Sequence, residues 1–205
     1  GGAPWGRYGG EGSSIGDFLT GRPGRRVCRR GHYCPPGSST PTPCPRWTYS
    51  PTEANTNRRD CLLCPDGQYC ATDGLIAPTG NCSSGHYCRR GNDEAAPRVG
   101  VTQEVAFNSL WQVHNTTTVL VGGDICPNGT YCPPGTVVPL QCPAGTYNPV
   151  MGGGTNSCLP CPAGYFCVEG SFEYASSPCP MGYYCPQGTR YAVEFPCANG
   201  TFSNK

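Results

Sequence analysis

A chain of 205 residues with 17 Cys, 30 Gly and 23 Pro, only 37% hydrophobic even with Cys and Tyr counted, cannot fill an apolar core of ordinary density. Its formal net charge is +1, which gives no support to nucleic acid as a partner, and no apolar run is long enough to span a membrane. Cysteine at about 8% points to a disulfide scaffold of an oxidising compartment, extracellular or at the cell surface, because reducing cytosol would leave the thiols free.

Residues 1–27 form a Gly-rich, cysteine-free arm with Trp5, Tyr8, Ile15, Phe18 and Leu19 scattered along it and no helical or strand period. The chain shows no initiator Met and no secretory apolar segment, and it stops soon after Cys197, so it is expected to be part of a longer or processed protein. Charge is uneven: residues 1–98 hold 12 Arg against 8 acids (+4), and residues 99–205 hold one Arg and one Lys against 5 acids (−3). Arg22, Arg25, Arg26, Arg29 and Arg30 make the only dense basic cluster. It reads either as a dock for an acidic glycan or the acidic half of a neighbouring copy, or as a solvated basic tail.

Residues 28–88 form a first cysteine-rich module, with cysteines at Cys28, Cys34, Cys44, Cys61, Cys64, Cys70, Cys82 and Cys88. Residues 126–185 form a second, with Cys126, Cys132, Cys142, Cys158, Cys161, Cys167, Cys179 and Cys185. The intervening residues number 5, 9, 16, 2, 5, 11, 5 in the first and 5, 9, 15, 2, 5, 11, 5 in the second, an internal duplication with an offset near 98 residues. Between the modules, 89–125 is a cysteine-free connector. Val105–Val113 reads as strand or short helix, Thr116–Val121 reads as a strand, and the whole suggests a hairpin or an edge strand. Residues 186–205 hold the start of a further repeat at Cys197.

A phrase recurs throughout: Cys126-Pro-Asn-Gly-Thr-Tyr-Cys132, and likewise from Cys64, Cys161 and Cys179. Pro and Gly make a turn, and the aromatic can lie across a neighbouring disulfide or Pro ring. Cys28 and Cys82 lack the Pro, and Cys44-Pro-Arg-Trp47 lacks the Gly, so looser or differently shaped turns are expected there. The simplest pairing keeps bridges within units: Cys28–Cys34, Cys44–Cys61, Cys64–Cys70, Cys82–Cys88, Cys126–Cys132, Cys142–Cys158, Cys161–Cys167 and Cys179–Cys185. A staggered scheme with Cys132–Cys142 and Cys167–Cys179 stands beside it, and spacing does not choose between them. On the chain-entropy model each within-unit bridge is worth roughly 2.4–3.1 kcal/mol.

The stretches Cys44–Cys70 and Cys142–Cys167 resemble the ephrin-receptor-like cysteine-rich repeat, with its Cys-Pro-x-Gly-Thr-Tyr, polar loop and Cys-x-x-Cys-Pro. They are also similar to the first sub-module of tumour-necrosis-factor-receptor cysteine-rich domains. The resemblance implies bridges across the loop, Cys44–Cys61 and Cys142–Cys158. It also implies membership of large surface or extracellular proteins, of the kind protists use in filaments, hairs and coats. The added Cys-x5-Cys units depart from the receptor pattern, so receptor-type ligand binding does not carry over.

The Cys-x-x-Cys pairs Cys61/Cys64 and Cys158/Cys161 stand singly among Pro-Gly turns, unlike the paired knuckles of a zinc site. His32, His86 and His114 have no nucleophile or carboxylate partner in the pattern, and the first two read as surface turn residues. No catalytic group, metal or cofactor is expected. Asn-x-Ser/Thr occurs at Asn81, Asn115, Asn128 and Asn199; Asn128 and Asn199 share one place in their turns, and Ser38–Pro43 has an O-glycosylated composition.

The expected fold is small and disulfide-rich, mostly β-turns and short strands, an elongated array of cysteine-rich repeats with little helix. The expected role is a non-enzymatic structural segment of an extracellular glycoprotein filament, hair or coat. Its partners would be copies of itself stacked head to tail and covalent glycans, with Trp5, Tyr8, Phe18, Phe107 and Trp111 at the assembly contacts. The alternative is a ligand-binding ectodomain of a surface receptor or adhesin.

Overall fold

The computed structural model describes residues 7–9, 25–98, 100–107 and 113–201, with side chains from Arg26 to Arg98 and from Gly122 to Thr201. The architecture is a disulfide-rich series of short two-stranded hairpins. Among the described residues there is no α-helix, and one 3-10 turn spans Arg58–Asp60.

The local rule behind this fold is a turn opened by a cysteine. The carbonyl of the next residue accepts the N–H three positions further on, as in Pro65 to Gln68 (3.2 Å) and Pro143 to Thr146 (3.0 Å). The third residue after the cysteine takes positive φ in all nine such turns, from 69° at Trp47 to 89° at Gly145. A positive φ at only the second central position is a type II turn. The turns at Cys28, Cys44 and Cys82, expected to be looser or differently shaped, follow the same rule: His32 bonds Arg29 at 3.2 Å, Thr48 bonds Pro45 at 3.1 Å and His86 bonds Ser83 at 3.2 Å. The acceptor is a main-chain carbonyl, which Arg29 and Ser83 supply as well as Pro does. At Cys44 the left-handed position is taken by Trp47 itself, φ 69°, at a cost of about 1–2 kcal/mol to an L side chain.

A second turn follows in four of the units. In Cys132-Pro-Pro-Gly-Thr136 the N–H and hydroxyl of Thr136 both donate to the Pro133 carbonyl, at 3.2 and 2.6 Å. Ser38, Ser171 and Thr189 repeat the arrangement on Pro35, Val168 and Pro186. Between turns, the two residues preceding one opening cysteine pair antiparallel with the fourth and fifth residues of the turn before. Thus His32–Tyr33 meets Thr42–Pro43, Thr48–Tyr49 meets Leu62–Leu63, Thr130–Tyr131 meets Leu140–Gln141 and Thr146–Tyr147 meets Leu159–Pro160.

Disulfides run within units: Cys28–Cys34, Cys44–Cys61, Cys64–Cys70, Cys82–Cys88, Cys126–Cys132, Cys142–Cys158, Cys161–Cys167 and Cys179–Cys185. Fifteen of these cysteines are the buried apolar side chains among the described residues, joined only by Pro97; Leu62, Leu63, Leu140 and Leu159 on the hairpin strands are exposed. Oxidised sulfur occupies the interior that Leu and Val occupy elsewhere.

Two compact units divide the described residues, the first from Gly1–Asn81, Arg89–Ala95 and Val101–Gly122, the second from Cys82–Cys88, Ala96–Gly100 and Gly123–Lys205. The turn Cys82–Cys88, last of the first sequence module, therefore groups with the residues that follow 122. The reason is its hydrogen bonds, Gly85 N–H to Cys132 carbonyl (2.9 Å) and Cys88 N–H to Thr136 carbonyl (2.9 Å). In the connector, Gly100–Phe107 and Val113–Ile125 are paired strands, which resolves Val105–Phe107 as strand; 108–112 lie outside the described residues. In the arm, Arg7–Gly9 pairs antiparallel with Arg25–Val27, where no strand was expected. A three-residue pairing rests on main-chain bonds and is too short to show a side-chain period.

Candidate functional site

The repeated junction between successive hairpin units is the feature that the fold builds most often. Within the first unit, the opening N–H of Cys44 donates to Gly31 (2.8 Å), and that of Cys64 to Trp47 (2.9 Å). Within the second, Cys126 donates to Gly85, Cys142 to Gly129, Cys161 to Gly145, Cys179 to Gly164 and Cys197 to Gly182, all at 2.8–3.0 Å. The N–H of six of the left-handed residues points the other way along the chain, to the residue six places into the next repeat: Gly31 to Ser50, Trp47 to Cys70, Gly85 to Cys132, Gly129 to Asn148, Gly145 to Cys167 and Gly164 to Cys185. Such closure satisfies main-chain groups that a core-poor chain would otherwise leave exposed.

That sixth position is a disulfide cysteine in the short repeats and Ser50 or Asn148 in the two long ones, both fully buried. An amide there does the bridging. Asn148 Nδ2 donates to the Thr130 carbonyl (2.8 Å), four residues after Cys126. Asn55 Nδ2 donates to the His32 carbonyl (3.0 Å), four residues after Cys28, and to Ser50 Oγ (2.7 Å). The sequence pattern alone did not single out either asparagine, and it marked Trp47 only as a departure from the turn motif. The signal was present: Cys-x-x-Gly follows most cysteines, not only the opening ones, and aligning repeats on it exposes Ser50, Asn148 and Trp47 as substitutions at fixed places.

The two long loops differ in what they present. Ser50–Asp60 carries the 3-10 turn Arg58–Asp60, fastened by the Asp60 carboxylate, which accepts the N–H groups of Thr56 (2.7 Å) and Asn57 (2.9 Å). The Arg58 guanidinium lies over the Trp47 ring, 5.8 Å from its centroid. Trp47 is half-buried, and Arg58 and Arg59 are exposed.

Of the sequons, Asn128 and Asn199 are exposed at corresponding corners of their turns, with Thr130 and Thr201 hydroxyls donating to Pro127 (2.6 Å) and Ala198 (2.7 Å). Asn81 is exposed on a paired strand and accepts Gln68 Nε2 at 3.2 Å. Asn115 lies on the strand Val113–Ile125, and its side chain lies outside the described residues. Thr42–Pro43 of the Ser38–Pro43 tract is exposed on a hairpin strand. Of the expected assembly contacts, Trp5, Phe18 and Trp111 lie outside the described residues, while Tyr8 and Phe107 are described only as strand positions.

In the Cys-x-x-Cys pairs, Cys61, Cys64, Cys158 and Cys161 each close a separate disulfide, so none has a thiolate to offer a metal. Cys197 is the free cysteine among the described residues. His32 accepts Arg29 at Nε2 (2.9 Å) and contacts the Arg30 carbonyl through Nδ1 (3.0 Å). His86 departs from the surface turn residue expected: both its ring nitrogens are buried and without a hydrogen-bond partner among the described residues. It pairs with Ile125 at the end of the long connector strand, whereas His32 faces the two-residue strand ending at Pro43.

Eight disulfides require an oxidising environment to form and persist. No described helix is long and apolar enough to cross a membrane. No family model matches the chain, and no curated protein was found that resembles it.

Proposed function

We propose that this chain is a structural segment of an extracellular glycoprotein assembly, acting through held shape, glycan display and stacking of copies, and not through catalysis. The observation that carries the reading is the junction repeated between hairpin units, with identical main-chain donors and acceptors and with cysteine as the interior. A fold that repeats one junction makes length and spacing, which is what a filament, hair or coat uses. Exposure of Asn128 and Asn199 at equivalent turn corners supports glycans set at regular places. The opposed charge of the two chain halves supports head-to-tail contact, an arrangement that produces open fibres. Residues 1–27 and 101–121, with Trp5, Tyr8, Phe18, Phe107 and Trp111, are the proposed contacts. The likeness to ephrin-receptor-like repeats belongs to the same proposal.

Electron microscopy of the oxidised, glycosylated chain across a concentration series tests this. Regular fibres that lengthen with concentration are expected. A monodisperse monomer at all concentrations overturns the assembly reading and favours a ligand-binding ectodomain. Glycopeptide mass spectrometry before and after glycosidase is expected to shift the Asn128 peptide, and an unshifted peptide removes that site.

A further inference from the structure

We propose that Arg25-Arg26 is a proteolytic processing site, at which a secretory serine protease specific for paired basic residues cuts the arm from the first module. The site stands whether or not copies of the chain stack.

The chain holds four Arg-Arg pairs, at 25–26, 29–30, 58–59 and 89–90, and the fold treats the first unlike the rest. A protease takes several residues either side of the cut into its cleft as an extended strand, so a cut depends on whether the backbone can be lifted out. Arg29-Arg30 lies inside the Cys28–Cys34 ring, whose ends are held 5.9 Å apart where six residues of extended chain would span about 20 Å. Both carbonyls there are engaged, Arg29 by the His32 N–H at 3.2 Å and Arg30 by His32 Nδ1 at 3.0 Å. Arg58-Arg59 forms the 3-10 turn that the Asp60 carboxylate fastens, just short of the Cys44–Cys61 bridge. Arg89-Arg90 follows the bridged Cys88 directly and is bonded through both residues, the Arg89 N–H to the Gly122 carbonyl (2.7 Å) and the Arg90 carbonyl to the Gly122 N–H (3.3 Å).

Arg25-Arg26 differs on each count. It is already extended, in the strand Arg25–Val27, which is held by a three-residue pairing with Arg7–Gly9. No disulfide spans it, since residues 1–27 contain no cysteine. A two-stranded pairing this short opens readily, and Arg26 and Val27 are exposed. The outcome of a cut differs as well. A chain cut at 29–30 or 58–59 stays joined through its bridge, whereas one cut after Arg26 keeps no covalent hold on residues 1–26. Adjacent guanidiniums, with Arg22 three places before Arg25 in the sequence, suit a protease with acidic subsites, which can take each through two parallel N–H donors. The step is hydrolysis: the Arg26–Val27 C–N bond breaks, the hydroxyl of water goes to the Arg26 carbonyl carbon and its proton to the Val27 nitrogen. The fragment carries off Trp5, Tyr8 and Phe18, so processing decides whether the proposed arm contacts are present in the finished chain.

The test is timed digestion of the full oxidised chain with a purified subtilisin-like convertase of dibasic specificity, read by intact mass without reduction and by N-terminal sequencing. A new N-terminus at Val27 is expected, formed at least about tenfold faster than any cut at the other pairs. Residues 1–26 should then separate on gel filtration. Arg25→Gln with Arg26→Gln is expected to abolish this cut at an unchanged melting temperature. After reduction, cuts at 29–30 and 58–59 are expected to catch up, because their rings are open. The proposal is overturned by an oxidised chain that is not cut or is cut first at another pair. Release of the arm from the double variant at the original rate also overturns it, as does an arm retained after the cut.

Discussion

The loops Cys44–Cys61 and Cys142–Cys158 descend from one plan and solve one problem in two ways. Each lacks a cysteine at the sixth place, and each replaces the missing staple with an asparagine amide donating to the carbonyl four residues into the preceding repeat. In the second loop Asn148 stands at that place itself and its neighbours are Gly152, Gly153 and Gly154, so the chain relaxes into the required turns. In the first, Ser50 holds the place, Asn55 reaches in from five residues further, and both left-handed positions carry side chains, Trp47 at φ 69° and Ala54 at φ 63°. The junction to be satisfied is the same, and the strain tolerated is not. The difference teaches that backbone bonding is the invariant of this fold, while side chains are free to vary where another interaction offsets the cost.

The broadest way to break the comparison is reduction. With every bridge opened, both loops should lose protection together, seen as sixteen module thiols becoming reactive and the chain becoming protease-sensitive; persistence of either loop would show a hidden second source of stability. Next comes the exchange of residues between loops. A Cβ at Gly145 would lie 2.5 Å from the Gly188 carbonyl oxygen in a backbone at φ +89°, so Gly145→Trp should cost about 3–5 kcal/mol in chemical denaturation. The first loop already holds Trp at this place, and the asymmetry is the point of the measurement. Replacing both cysteines of either bridge by Ser should cost about 3 kcal/mol in each loop, because separations of 17 and 16 residues close nearly equal loops. Unequal losses would locate native strain in one of them.

Asn148→Ala and Asn55→Ala should each lose about 1–3 kcal/mol, since each removes a buried amide and leaves a part-buried carbonyl without that donor. Local hydrogen exchange should rise at the repeat whose carbonyl is orphaned. The smallest effect is a gain. Ala54→Gly should stabilise by up to about 1 kcal/mol, the left-handed penalty of an alanine reduced by the extra entropy of glycine.

Much of the fold was legible in cysteine spacing, because a disulfide framework repeats covalently and leaves a numerical trace. The Cys-Pro-x-Gly turn could be written down from residues such as Cys126 to Cys132, and the within-unit pairing only as the simpler of two schemes that spacing left open. What stayed hidden had no trace of that kind. Trp47 reads as a broken motif, and only φ shows that it obeys the rule. Asn55 and Asn148 occupy unlike places in their loops yet donate to equivalent carbonyls, a likeness visible in space alone. The strand Arg7–Gly9 has no side-chain pattern to announce it.

Every bridge described here closes on its own repeat, and none ties one repeat to the next. Neighbours are held by non-covalent contacts, chiefly peptide hydrogen bonds with the Asn55 and Asn148 amides added at the long loops. Pulled from its ends, such a chain yields in small steps as one junction after another lets go, while each sulfur-closed ring keeps its slack locked away. Extension stops short of full contour length until a covalent bond is cut. When the load is removed, each ring still holds its own turn and needs only to find its neighbour again.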